Sequence, residues 1–310
     1  MMSRSRKRQS EVAGEGREVR ALFVHAHFDD YEFTAAGLFA QWRRRLGEAF
    51  HPRVLVCTDG AAGHHVMSRE ETAVRRLEEQ RASAKLGGYE FELLRLPGGE
   101  VPREGCIELG PAFLGGLWRA IRDFEPDYLF CPPLPADPLA GLHVDHLMVA
   151  EGVRRVAYLL NVPHAYTPEF PSGERVARPC KVPVILHTTD SYVAGERSWD
   201  LAVEVEDVFS EVALLSWQHQ SQISEWLPWV GRHAMEPPAS LEDWEVALRR
   251  RFLDRQRGLG FRGRRLAEFF TVTAWGEVPE LGQIRRDFPC LVSRTGLERL
   301  GRRLKRWGVG

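Results

Sequence analysis

The sequence predicts an α/β fold: a Rossmann-like, mostly parallel sheet with helices on both faces, three layers in all. Three observations carry that prediction. Short runs rich in strand formers alternate with amphipathic stretches, the connections are a few residues long, and Gly, Pro and Asp punctuate the ends of the runs. A crossover helix must pack back onto the sheet it leaves, which makes successive strands parallel. Val19 to His25 is the first strand, and a helix over about Phe33 to Leu46 follows it. Arg53 to Thr58 is the second strand, closed by Asp59, Gly60 and Gly63. Ser68 and Glu71 have the spacing of a capping box, so a helix starts there and runs to Leu86, before Gly87 and Gly88. Phe91 to Leu96 is a third strand, Leu109 to Phe124 a helix, and Asp127 to Cys131 a fourth strand stopped by Pro132 and Pro133. A helix over about Leu147 to Leu160 comes next, and the Pro-rich stretch from Pro163 to Pro183 reads as loop. Lys181 to Thr189 is a later strand, Asp207 to Trp226 has helical character, and Thr295 to Trp307 is a basic, partly amphipathic helix.

The composition is that of an ordinary globular chain: 310 residues, 44% hydrophobic and 27% charged, long enough for a substantial core. The 42 basic and 43 acidic residues nearly cancel, so overall charge gives no reason to expect a nucleic acid or a membrane surface. No window approaches the roughly twenty apolar residues that span a bilayer. Residues 1–18 are expected to be a disordered basic leader without a signal-peptide core, which places the protein in the cytoplasm. Residues 19–275 form the main domain, and residues 276–310 a C-terminal extension ending in the basic helix. Cys57, Cys106, Cys131, Cys180 and Cys290 are scattered singly and are expected to be buried small apolar residues. Trp217, Trp226 and Trp229 suggest either a sugar-stacking platform or core, and near-helical spacing favours core.

In a parallel α/β sheet, sites form at the carboxyl ends of the strands. His25, His27, Asp29 and Asp30 follow the first strand, and His143, Asp145 and His146 follow the fourth. Two imidazoles and two carboxylates within six residues are costly to desolvate together unless a cation binds them. A hydrogen-bonded polar turn would account for the first cluster alone, and a capped helix start for the second. Their convergence on one sheet edge makes a metal site the better explanation. Two His nitrogens and one carboxylate leave an open position on a tetrahedral zinc ion, and a water there is acidified to a pKa of about 7. Asp29 and Asp30 offer one ligand and one proton acceptor, in an order that residue chemistry leaves open.

The chain resembles the LmbE/PIG-L family of zinc-dependent N-deacetylases. The family's His-Pro-Asp-Asp stands here as His27-Phe28-Asp29-Asp30, followed by Glu32, Phe33 and Gly37. Thr58-Asp59-Gly60 with Gly63, Arg75 with Glu78, Leu86-Gly87, His143-Val144-Asp145-His146, His219-Gln220-Ser221-Gln222 and Ala267-Glu268-Phe269-Phe270 continue the resemblance in order over about residues 20–270. It implies one zinc ion per chain held by His27, Asp30 and His146, with Asp29 as general base. It further implies that His143 stabilises the tetrahedral intermediate or protonates the departing amine, that Asp145 orients an imidazole, and that Arg75 contacts substrate. Two departures bear on this. Phe28 replaces the usual proline, and Pro97-Gly98-Gly99-Glu100 replaces the family's Pro-Asp-Gly, so the acidic substrate contact is either missing or displaced to Glu100. His25 is expected to be a packed or hydrogen-bonded neighbour rather than a fourth ligand.

The reading is therefore a zinc-dependent hydrolase that removes an N-acetyl group from an amino sugar, of the N-acetylglucosamine type, or a related small acylated amine. Its partner is that small molecule, with no nucleic acid or membrane, and the sequence leaves room for a homo-oligomer. The residues also admit two alternatives. His25-x-His27-x-Asp29 is also similar to the metallo-β-lactamase-type hydrolases, but the alternating pattern opposes their β-rich opening half. A non-catalytic protein would keep the site to bind metal or sugar, or would use the basic ends, including Arg302, Arg303, Lys305 and Arg306, to bind a polyanion.

Overall fold

In a computed structural model, residues 17–171, 179–193, 198–232 and 235–308 are described. All but the last two residues of the expected leader lie outside them. The elements in chain order are β1 (Val19–His25), α1 (Asp30–Thr34), α2 (Ala36–Leu46), β2 (Phe50–Val56), α3 (Arg69–Gly87), β3 (Glu90–Leu93), α4 (Pro111–Phe124), β4 (Tyr128–Cys131) and α5 (Val144–Leu159). They continue with β5 (Val184–His187), β6 (Leu201–Glu204), α6 (Phe209–Ser216), α7 (Leu227–Val230), α8 (Leu241–Gly258), β7 (Ala267–Val272), α9 (Leu281–Asp287) and α10 (Arg294–Arg306). A π-helical segment, Ser221–Trp226, leads into α7.

The sheet has seven strands in the order β3-β2-β1-β4-β5-β7-β6. The first five pair in parallel and β5, β7 and β6 pair antiparallel. The mostly parallel sheet is thus as expected. Strand alternation splits the core in two. Ala21 and Phe23 of β1 and Tyr128 and Phe130 of β4 face one apolar cluster with Phe39, Trp42 and Phe209. Leu22, Val24, Leu129 and Cys131 face the other, with Trp118 of α4 and Val153 of α5. Helices therefore cover both faces.

The capping box at the start of α3 is formed: Ser68 Oγ accepts from the Glu71 amide, and the Glu71 carboxylate accepts from the Ser68 amide. The first expected helix is two, because Ala35 breaks helical geometry between α1 and α2. Glu268 of β7 accepts hydrogen bonds from the Gly37 and Leu38 amides, so the start of α2 is tied to the antiparallel part of the sheet. The C-terminal stretch packs into the same core as β1 through Ile284, Phe288, Leu300 and Leu304. Arg303, one of the basic residues of α10, is paired with Asp200 rather than free on the surface. Cys57, Cys131 and Cys180 are buried, whereas Cys106 and Cys290 are exposed, a correction to the expectation for those two: both lie on turns outside the sheet and its covering helices. No helix among the described residues is long and apolar enough to cross a membrane.

Candidate metal centre

The strand order reverses between β1 and β4, since β2 leaves β1 on one side and β4 joins it on the other. Loops after those two strands separate there and leave a crevice, the usual place for a site in an open α/β sheet. His27 and Asp30 come to it from the β1 end, and His143, Asp145 and His146 from the segment after β4 that starts α5. His27, Asp30, His143 and His146 line a cleft with a volume of about 130 Å³, and Asp145 is buried behind it.

Three donor atoms meet in it. His27 Nδ1 lies 3.0 Å from His146 Nε2, and Asp30 Oδ2 lies 3.5 Å from each of them. Donors at about 2.0–2.1 Å on a tetrahedral ion are about 3.3–3.4 Å apart, so the set fits a divalent cation. The other ring nitrogens support that fit. His27 Nε2 is 3.1 Å from Asp145 Oδ2, and His146 Nδ1 is 2.8 Å from Asp190 Oδ2. Each carboxylate fixes a proton on the far nitrogen and leaves the near one with its lone pair toward the cleft. Burial opposes charge on both rings, yet the carboxylates raise His27 to a pKa of about 9 and His146 to about 10. That is a demand for positive charge which a cation meets in place of protons. Two wider groupings of possible ligands share His146: one adds His143 to His27, the other joins His25 to Asp30.

The surrounding side chains take distinct places. His25 stacks on Phe23 and puts Nδ1 2.5 Å from Asp30 Oδ2, which also accepts from the His27 amide at 2.8 Å. Asp29 sits in the left-handed backbone region, φ 78°, as the residue before α1. Its amide bonds Gln80, and its carboxylate is 3.6 Å from the buried Arg76 guanidinium. Burial raises the Asp29 carboxyl to a pKa of about 6, against the pull of Arg76. His143 caps α5: its Nδ1 accepts from the Asp145 amide at 3.3 Å, and its ring meets that of His27 edge-on at 4.4 Å. That bond makes Nε2 the protonated nitrogen of the neutral ring. Burial, then the facing His27 and His146, lowers its pKa.

Two expected substrate contacts lie elsewhere. Arg75 is half exposed on the outer face of α3 and pairs with Glu79 one turn on, while Arg76, turned by one residue, enters the cleft. Arg76 donates to the Phe28 carbonyl at 2.9 Å and lies 5.6 Å above the Phe28 ring, a contact the usual proline would not offer. Glu100 is on an exposed turn, and Glu104 stands in the cleft instead, 3.9 Å from His27 Nε2. Asp59 sets it there by accepting the Glu104 and Ala61 amides, and the Ala62 amide bonds the Glu104 carboxylate. Ser221 and Gln222 fasten the π-helical segment to Glu79 and to the Gly63 carbonyl. Trp226 then lines the cleft, stacked at 5.2 Å on Trp229, which stacks in turn on His65 at 4.9 Å. Trp217 packs against the core. Asp190, Arg76 and Glu104 escape sequence reasoning, although Asp190 directly follows an expected strand, where the strand-end rule would place a site residue.

Residues 22–157 match the model of a family described as PIG-L, GlcNAc-PI de-N-acetylase. Among solved structures, the chain is similar to N,N'-diacetylchitobiose deacetylase from Pyrococcus horikoshii complexed with an inhibitor, at 19% identity and TM-score 0.62 over 83% of this chain and 84% of that one. It is also similar to the 4-carboxy-2-hydroxymuconate hydratase GalB from Pseudomonas putida, at 15% identity and TM-score 0.51 over 84% and 97%. A triple mutant of a deacetylase of the teicoplanin biosynthetic pathway aligns at 13% identity and TM-score 0.50 over 83% and 99%. These likenesses show a shared fold. No curated protein matches the chain.

Proposed function

We infer the function from one premise: residues 22–157 match the model of the PIG-L family of de-N-acetylases. The chain is a metal-dependent N-deacetylase, with zinc as its metal and an N-acetylated amino sugar as its substrate. A hydratase shares the fold, so the fold alone assigns no reaction, and the family match and the site together support this one. The observation that carries it is the triangle of His27 Nδ1, Asp30 Oδ2 and His146 Nε2, with edges of 3.0–3.5 Å, beside a carboxylate outside that triangle. Zinc held there supplies a Lewis acid for an acetamide carbonyl and an acidified water.

The chain's own groups do the rest. Asp29, raised toward neutrality by burial, accepts the proton of the attacking water at its carboxylate. Arg76 and the Gln80 side chain hold it in place. His143, neutral and protonated on Nε2, donates a hydrogen bond to the oxygen that gains charge as the carbonyl is attacked. Asp145 and Asp190 keep His27 and His146 in the tautomers that binding requires. Trp226, backed by Trp229, offers a ring face at the cleft for the sugar.

The experiment is acetate release by zinc-loaded protein from a panel of N-acetylglucosamine glycosides and simple N-acetylated amines. Asp29→Asn is expected to lower turnover by about 100- to 10,000-fold, the range for a lost general base, with one zinc per chain retained by elemental analysis. No acetate from any member of the panel sinks the reading.

A further inference from the structure

Arg251 and Arg255 lie one turn apart on α8 and line both the metal cleft and a larger adjoining cavity of about 490 Å³. The two spaces also share Thr189, Asp190 and Ser191. Arg255 donates to the Phe33 carbonyl at 2.7 Å. Arg251 lies 5.1 Å over the Phe33 ring and has no hydrogen bond or ion pair among the described residues.

Asp29 acts on Arg251, and Glu268 and Asp190 on Arg255, only through their charge at a distance, because the nearby carboxylates make their hydrogen bonds and ion pairs with other groups. Asp190 holds His146 and the Tyr192 amide, Glu268 holds the start of α2, Asp254 pairs with Arg257, and Asp29 faces Arg76. Two like charges drawn from water side by side are costly unless something neutralises them. The cost shows at Arg255, whose pKa is pushed down to about 10 by burial and then by Arg251. A planar guanidinium pair at a cavity wall suits a carboxylate or phosphate group, which accepts several of its hydrogen bonds at once.

We propose that the substrate carries an anionic group, a carboxylate or a phosphate, bound by Arg251 and Arg255 in the side cavity while its acylated nitrogen occupies the metal cleft. The placement of the acylated end rests on the N-deacetylase reading; the anion subsite rests on the arginines. Leu134 and Val193 give the side cavity an apolar wall for the linkage between the two ends.

Three N-acetylglucosamine glycosides that differ in the aglycone alone, methyl, carboxymethyl and 2-phosphoethyl, test this. Their binding to zinc-loaded Asp29→Asn protein is measured by calorimetry, so that no turnover intervenes. At least one anionic glycoside is expected to bind about 10- to 100-fold more tightly than the methyl glycoside, as charge-assisted hydrogen bonds imply. The order of the two anionic ligands tells carboxylate from phosphate. The preference is expected to vanish in Arg251→Gln and to survive in part in Arg251→Lys. Arg255→Gln also loses the Phe33 contact, so it counts only if its melting transition is unchanged. Equal affinity for all three glycosides, or a preference that persists in Arg251→Gln, overturns the proposal. Acetate release by the unsubstituted protein reports on the reaction separately: anionic preference without acetate refutes the deacetylase and leaves the subsite, and acetate without preference does the reverse.

Discussion

Asp190 stands behind His146 as Asp145 stands behind His27, and the two carboxylates differ in how visible they are in a sequence. Asp145 lies beside His146 in a four-residue motif. Asp190 reaches the same imidazole from 44 residues away, at the end of β5, and no local spacing marks it. Groups that orient a ligand are set by tertiary approach, so a sequence read alone shows the proposed ligands before their supports. The same holds for Arg76 and Arg75, where one residue of helix turns the side chain by about 100° and decides which of two adjacent arginines meets Asp29. At this scale the expected outcome concerns affinity rather than rate. Asp190→Asn should weaken zinc binding by about 10- to 100-fold in a chelator competition, because the amide supports the His146 tautomer less firmly. Affinity equal to that of the unsubstituted chain would show that Asp190 does not support the ligand.

Among the elements, β1 was legible to the residue, and β2 to β4 and α3 to α5 to within about three residues at their ends, because local period and turn chemistry determine them. The antiparallel pair β6 and β7 was not. β6 is four residues long, and its partners come from Ala267–Phe270, so its pairing is decided across more than sixty residues of chain. In α8, Trp244, Leu248 and Phe252 mark a buried stripe at helical spacing, but arginines and acids crowd the intervening positions and blur the pattern. The junction of these late elements with the early ones is Gly37. A Cβ there would come within 2.5 Å of Val205 Cγ1 and 2.9 Å of the Glu268 carboxylate. Gly37→Ala is therefore expected to destabilise the fold by about 1–3 kcal/mol, the cost of overpacking, read from the urea midpoint. An unchanged midpoint would mean that α2 and β7 are free to separate.

For the whole molecule, the C-terminal stretch was expected to be an extension, and it packs as part of the core. Trp42 donates to the Asp287 carbonyl, Tyr128 to the Asp287 carboxylate, and four apolar side chains beyond residue 280 share the cluster under β1. A chain ending at residue 275 should show no cooperative melting in calorimetry, where the full chain gives one transition. Acid should weaken the full chain through His187, whose ring burial, with Arg303 adding to it, holds at a pKa of about 3 against about 6.5 in the unfolded chain. The unfolded state takes up this proton first, so the contribution of His187 is present above pH 6.5 and drains away as pH falls toward 3. His187→Gln should flatten the stability profile over that window by about 1–2 kcal/mol relative to the unsubstituted chain, measured by denaturant unfolding at each pH. A parallel profile would place the acid sensitivity elsewhere. The reversal of strand order between β1 and β4 also has a consequence in time. His27 is made 119 residues before His146, roughly six to twenty-four seconds earlier at ordinary rates of translation. Until then a nascent chain offers a divalent cation only two of the three donors, so the complete set comes into being only with the start of α5.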